Sequence, residues 1–324
     1  MFPCSLCCPP PAYGQAPERK EAPIAGPPAA QIRIGISGWR YAPWRGAFYP
    51  PGLPQAEELA FAARQFPAIE LNGSFYSLQR PSSYQRWAEQ TPQGFVFAVK
   101  APRYITHILR LRDIRPALAN FFASGVLALG PKLGPLLWQL PPGLAFDAGL
   151  LDEFLAQLPH DGEAALRLAG EREARMHGKE WLGPVAPLRL QHALEVRDPS
   201  FCQPAAAALL QRHGVALVAA DTGGRWPELG DATADFVYIR LHGAPKLYAS
   251  NYGQAALATW AERLRAWAGG GMPAGMARLA AAPPPARPRN VFCFFDNTMK
   301  PFAAENALAL ARMLQLDDQL QLPR

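Results

Sequence analysis

The sequence predicts an α/β fold, an irregular (β/α)8 barrel of the TIM type. Three observations carry this expectation. Eight short β-prone runs recur along the 324 residues, and most are near-continuous apolar stretches, the pattern of parallel strands buried on both faces. Helical patterns separate most of the runs. Polar residues sit at the C-terminal ends of the runs, where a barrel gathers its βα loops.

The first run, Ile32–Ser37, is followed by a helical pattern over Gln55–Gln65. The second, Ala68–Asn72, precedes one over Ser82–Gln90. Phe95–Lys100 leads to Asp113–Phe122, Pro135–Leu140 to Ala148–Gln157, and His192–Arg197 to Gln203–His213. The sixth run is Val215–Asp221 and the seventh Phe236–His242. Only Thr222–Asp235 lies between those two, and its glycines and proline leave no room for a full helix. The barrel is therefore expected to have a short helix-poor connection between strands six and seven. Gln254–Ala268 follows, with Leu257, Trp260, Ala261 and Leu264 spaced as one apolar helix face. The eighth run, Val291–Asp296, precedes a last helix over Phe302–Leu314. An open doubly wound sheet is the alternative, but Gly35-x-Ser37-Gly38-Trp39 does not match the Gly-rich turn usual after its first strand.

Residues 1–30 hold eight prolines and little periodicity, so they read as a disordered leader. Residues 31–320 read as a single barrel domain, interrupted at 269–290 by a flexible insertion rich in Pro, Gly and Ala. With 49% hydrophobic and 18% charged residues the chain can bury a large core. No uninterrupted apolar stretch is long enough for a membrane helix, and no basic-then-apolar segment opens the chain. The five cysteines are an odd set: Cys4, Cys7 and Cys8 crowd one end, while Cys202 and Cys293 lie far away. That is not a disulfide framework and fits a reducing cytoplasm, the expected location. Cys202 and Cys293 read as packing residues rather than nucleophiles. The net charge of +6 permits an anionic ligand or nucleic acid without demanding either, and no membrane partner is expected.

Strand residues two apart face the same way. Glu70 and Asn72 share a face, as do Glu195 and Arg197, and Tyr238, Arg240 and His242. Lys100, Gln139, Asp221 and Asp296 stand at or near strand ends. Charges there need partners or solvent. Glu70, Glu195, Asp221 and Asp296 are the candidate general acids or bases. Asn72, Tyr76, Lys100, His107, Gln139, Arg197, Arg240, His242, Tyr248 and Asn297 are the candidate ligand-binding residues. The mixed charges suit a polar ligand with hydroxyls and one anionic group. Pairs such as Glu195 with Arg197, or Glu70 with Arg240, would instead tie the barrel end together. Trp39, Tyr41, Trp44, Phe48 and Tyr49 cluster after strand one. They can stack on ligand rings or pack the loop down, and the second is the commoner use.

At these residues the chain resembles a known family. Gly35-Ile-Ser-Gly-Trp-Arg-Tyr-Ala-Pro-Trp-Arg-Gly-Ala-Phe-Tyr-Pro50 and Glu70-Leu-Asn-Gly-Ser-Phe-Tyr76 resemble motifs of the YecE-like family, domain of unknown function 72. So do Phe97-Ala-Val-Lys100 with Thr106-His107, Gln139-Leu-Pro-Pro142, Leu194-Glu-Val-Arg197, Tyr238-Ile-Arg-Leu-His-Gly243, Tyr248 with Tyr252, Phe295-Asp-Asn297 and Asn306-Ala307. These run in order from about residue 32 to 316. The resemblance implies a TIM-type barrel and supplies no reaction. After Glu195-Val-Arg197 the family commonly has histidine, where Asp198 stands. After Phe295-Asp-Asn297 it commonly has another acid and a glycine, where Thr298 and Met299 stand. Both departures bear on a site the family uses.

Three classes of function stay open. The first binds a polar or anionic small molecule, sugar-like or phosphorylated, with acid–base hydrolase or isomerase chemistry. The second binds nucleic acid or processes phosphodiesters, by analogy of fold alone. The third is a non-catalytic binding protein. No phosphate loop, H-E-x-x-H or G-x-S-x-G occurs. Of six histidines only His107 and His242 fall at the mouth, so neither metal nor cofactor is expected.

Overall fold

Eight parallel strands pair in chain order, and the last pairs back with the first, closing a barrel. The computed structural model describes residues 30–280 and 285–316. The expected leader, but for its final residue, and residues 281–284 of the expected insertion lie outside the described residues.

The strands are β1 (Ile32–Ser37), β2 (Ala68–Leu71), β3 (Val96–Lys100), β4 (Leu133–Gln139), β5 (His192–Glu195), β6 (Ala216–Asp221), β7 (Phe236–Leu241) and β8 (Asn290–Phe295). Each apolar run of the sequence overlaps one of them, with β4 starting two residues and β8 one residue earlier than the runs. The helices are α1 (Glu58–Gln65), α2 (Gly73–Tyr76), α3 (Pro81–Glu89), α4 (Arg115–Ala123), α5 (Ala148–Ala156), α6 (Gly162–Gly170), α7 (Pro204–Arg212), α8 (Gln254–Ala268) and α9 (Phe302–Met313). Among the described residues, no helix is long and apolar enough to cross a membrane.

The barrel interior is filled unevenly. Phe236 and Tyr238 on β7, with Phe292 and Phe294 on β8, occupy it. Ala68, Ala98, Ala193, Ala216 and Ala220 face them from β2, β3, β5 and β6. Large side chains on one side are thus matched by small ones opposite, which lets a closed barrel pack without a bore. Gly35 on β1 belongs to this pattern. A Cβ there would lie 2.0 Å from the Ala68 carbonyl oxygen and 3.3 Å from Phe294. The outer faces of the strands pack on the helices, with Trp44, Trp138 and Trp267 fully enclosed.

Two departures from the sequence reading have local causes. The polar stretch before β5 holds α6, nucleated by Asp161, whose carboxylate accepts from the Ala164 amide at 2.7 Å. A charged outer face hid this helix, because its apolar positions Ala165, Leu168 and Ala169 are few and small. Asn72 leaves the second strand early and takes the N-cap position of the short α2, with its side chain donating to Ser37 instead of capping.

The connection between β6 and β7 has no helix. Thr233 replaces it as a clamp. Its buried hydroxyl donates to the Val215 carbonyl at 2.6 Å and accepts from the Leu217 amide at 2.7 Å. Asp231 accepts from the amides of Leu279 and Ala280, so the described part of the 269–290 segment is hydrogen-bonded to this connection. Thr233→Val keeps the side-chain volume but strands two buried backbone groups. We expect a loss of about 2 kcal/mol in urea unfolding. A change within a few tenths of a kcal/mol would show that the clamp contributes nothing.

A polar layer at the barrel mouth

Above the aromatic plug the inward-facing positions become mostly polar, with Ala220 beside Arg240 an exception. Register places Ser37 beside Glu70, Gln139 beside Glu195, and Arg240 one pair beyond Tyr238. Arg240 is the centre of this layer and is fully buried. Its Nε and Nη2 donate to the two oxygens of Glu70 at 2.9 and 2.7 Å. Its Nη1 donates to Glu195 Oε2 at 2.8 Å, and Nη2 also reaches Asp296 Oδ2 at 3.0 Å. Nη1 lies 3.3 Å from His242 Nε2. Arginine can only donate, so in this contact Nε2 is the acceptor.

The neighbours complete the network. Tyr238 donates to Glu70 Oε2 at 2.7 Å, and Ser37 donates to Glu70 Oε1. Asn72 Nδ2 donates to Ser37 Oγ at 2.7 Å, and Gln139 Nε2 to Glu195 Oε2 at 3.0 Å. Arg197 Nε donates to Glu195 Oε1 at 2.9 Å while its guanidinium stacks 3.8 Å above Trp226. His242 Nδ1 lies 2.9 Å from Asp296 Oδ2, close but poorly aligned for a hydrogen bond.

Ionisation follows from this packing. Burial alone would raise the Glu195 carboxyl, but Arg197, Arg240 and His242 outweigh it and hold it well below the usual carboxylate range. Asp296 is held low in the same way, against its own burial, by Arg240 and His242. Burial would lower Arg240, yet Glu70, Asp296 and Glu195 raise it, so its charge is permanent.

The sequence-selected residues therefore divide into groups. Glu70, Glu195, Asp296, Arg240, Arg197, His242, Gln139 and Asn72 meet in one network. Arg240, one of the candidate ligand-binding residues, is sealed from solvent and has all its donors engaged inside the network. Asp221 does not join. Ala216, Val218 and Ala220 face the interior, so Asp221 falls on the opposite parity, near Tyr252. Asn297 also falls outside, donating to Ser250 and Asn306 and so tying the β8 loop to α9. Tyr76 stands 72% exposed on the rim, and Tyr248 packs edge-on against His242. The aromatics after β1 chiefly pack the loop down: Trp44 and Tyr49 are buried, and Trp44 Nε1 donates to the Thr298 and Lys300 carbonyls. Cys202, read as a packing residue, is exposed instead, while Cys293 is buried. Asp198 caps the turn Pro199–Phe201 through Ser200, away from the network.

Lys100 is different from all of these. It ends β3 facing the axis, 8% exposed, with Nζ 4.1 Å above the Phe75 ring. Among the described residues no carboxylate lies within salt-bridge distance of it, because Glu70, Glu195 and Asp296 are engaged by Arg240 and Arg197. Burial and the Arg240 charge lower its pKa to about 8, against the pull of the three carboxylates. His107, on the π-helical turn Tyr104–Ile108, packs edge-on against the same Phe75 ring. Burial, Arg197 and Lys100 lower its pKa to about 4, so it is neutral near pH 7. Beside the network, a cavity of about 260 Å³ opens between Trp39, Tyr41, Asn72 and Trp87. A groove of about 200 Å³ at the opposite pole, by Arg33 and Phe95, has no comparable polar cluster. Among the described residues no group of three or more His, Cys, Asp or Glu side chains is placed to hold a metal ion.

Comparison with known proteins agrees with this architecture. A family model described as "Protein of unknown function DUF72" matches residues 33–324. The UPF0759 protein YunF of Bacillus subtilis (strain 168) is 31% identical over 116 residues, covering 34% of this chain and 40% of that protein. The UPF0759 protein YecE of Escherichia coli (strain K12) is 33% identical over 110 residues, covering 34% and 38%. The chain thus spans 40% and 38% of the length of these two curated relatives. The crystal structure of a DUF72 family protein from Thermotoga maritima MSB8 superposes with a TM-score of 0.63 at 21% identity, over 88% of this chain and 99% of that one. A DUF72 family protein from Enterococcus faecalis V583 gives 0.57 at 16% identity, over 88% and 98%. At these identities the two structures bear on the fold.

Proposed function

This chain belongs to the DUF72 family of proteins of unknown function, and from that premise we propose that its barrel mouth binds a small polar molecule carrying an anionic group. The observation that carries the reading is Lys100, a buried cation at the mouth with no carboxylate partner among the described residues. A lysine that served only the fold would gain a partner for its desolvation. Lys132 is such a lysine, donating to the Ala88 and Thr91 carbonyls at 2.5 Å each. Arg197, braced by Glu195 and Trp226, supplies a second cation at the same rim. Neutral His107 adds a hydrogen-bonding group between them.

Acid–base chemistry at this site falls to Asp296. Glu70 and Glu195 are sealed beneath Arg240, whereas Asp296 keeps 9% exposure and has an Oδ1 that no protein donor occupies among the described residues. Held ionised near neutral pH, it has no proton of its own to donate and can act only by first taking one up.

Inorganic phosphate is the probe that tests the binding reading. At roughly ten times its Kd it is expected to raise the melting temperature by about 2–4 °C at pH 7. Lys100→Met and Arg197→Ala should each remove most of that rise, and Lys179→Ala, on the exposed surface, should keep it. An unchanged rise in the first two variants would overturn the reading.

A further inference from the structure

We propose that Lys100 is a covalent nucleophile, whose Nζ condenses reversibly with the aldehyde or ketone carbonyl of an anionic ligand. The inference rests on the binding reading above and names the substrate class, a small carbonyl compound bearing phosphate or carboxylate. Four observations support it. The amine stands at the C-terminal end of a barrel strand and faces the axis, where ligands of this fold gather. It has no ion-pair partner among the described residues, so no carboxylate must be displaced before it reacts. The Phe75 ring lies 4.1 Å beneath Nζ and shields one side from water; its π face attracts the ammonium form, so the lowering of the amine comes from burial and Arg240 rather than from the ring. Arg240, fixed in the layer below, adds a permanent cation that opposes protonation of Nζ. Together these bring a fraction of the lysine to its neutral, nucleophilic form near pH 7.

The step balances without an oxidant or reductant. The Nζ lone pair attacks the carbonyl carbon, and the C=O π pair moves to oxygen, giving a carbinolamine after proton transfer from nitrogen to oxygen. Asp296, close enough to Lys100 for each to shift the other's ionisation, accepts the proton from nitrogen and returns it to the oxygen. The remaining nitrogen proton then passes by the same route to the hydroxyl, the nitrogen lone pair forms C=N, the C–O bond breaks, and water leaves. Arg197 at the same rim holds the anionic end of the ligand.

The test is reductive trapping on the full chain. Glycolaldehyde phosphate, and glycolaldehyde as its uncharged counterpart, are each incubated with the protein and sodium cyanoborohydride at pH 7, and adducts are located by peptide mass mapping. Exposed Lys179, Lys246 and Lys300 serve as internal references. Adduct at Lys100 is expected at least ten-fold above these references, with the phosphorylated aldehyde preferred and the preference lost in Arg197→Ala. The labelling rate at Lys100 should rise to a midpoint near pH 8, well below that of the exposed lysines. Lys100→Arg, which keeps the charge, should abolish only the Lys100 adduct. Labelling at Lys100 no faster than at the references overturns the inference. If phosphate still raises the melting temperature, the binding reading survives that outcome; if it does not, both fail.

Discussion

Arg240→Ala is expected to destabilise the protein by about 3–5 kcal/mol and to leave little folded barrel at physiological temperature. The magnitude follows from what remains after truncation. Glu70, Glu195 and Asp296 would be left in a dry layer without the guanidinium that neutralises them. Two of the three have almost no access to water, so solvent cannot take over. The protein would then either protonate a carboxyl or open the mouth. Arg240→Lys should recover only part of the loss, because a single ammonium cannot match the fork that engages three carboxylates and His242. Chemical denaturation of the two variants measures this directly. A loss below about 1 kcal/mol for Arg240→Ala would mean that the network is solvated and Arg240 is available to ligands after all.

Lys100→Met is expected to move stability the other way, raising it by about 1–3 kcal/mol at pH 7. The sign follows from proton linkage. The unfolded chain holds the Lys100 proton up to about 10.5, whereas the folded chain releases it near 8. Between those values the unfolded state binds more protons, so this group makes stability rise with pH. Below 8 both states carry the proton, and the full cost of burying the cation is present. The advantage of Lys100→Met should therefore be largest below pH 8 and fade towards pH 10.5. Denaturation of both proteins across that range tests it. If Lys100→Met is destabilised at pH 7, then Lys100 has a partner that stabilises the fold and its claim as a ligand group fails.

Much of this was legible in the residues. Mostly near-continuous apolar runs that turn polar at or near their ends identified all eight strands, since a strand buried on both faces tolerates a polar group only where the barrel opens. Period-two parity also grouped Glu70 with Asn72, and Glu195 with Arg197. The division of labour inside the group was not legible. That Arg240 would be saturated and Lys100 left without a carboxylate partner among the described residues depends on cross-barrel distances that no local pattern encodes. Asp221 shows the limit of reading strand ends alone: it ends a strand as Asp296 follows one, but one residue of phase turns its side chain to the helix layer. Counting back from Val218 and Ala220 exposes that phase once it is known which residues of β6 face inward.

The most direct measurement of the central claim is a crystal structure of the protein grown in sulfate. An anion is expected within about 3.5 Å of both the Lys100 ammonium and the Arg197 guanidinium, with Arg240 still bound to Glu70, Glu195 and Asp296 beneath it. Lys100 turned onto Asp296 in a closed ion pair, with the anion bound elsewhere, would contradict it.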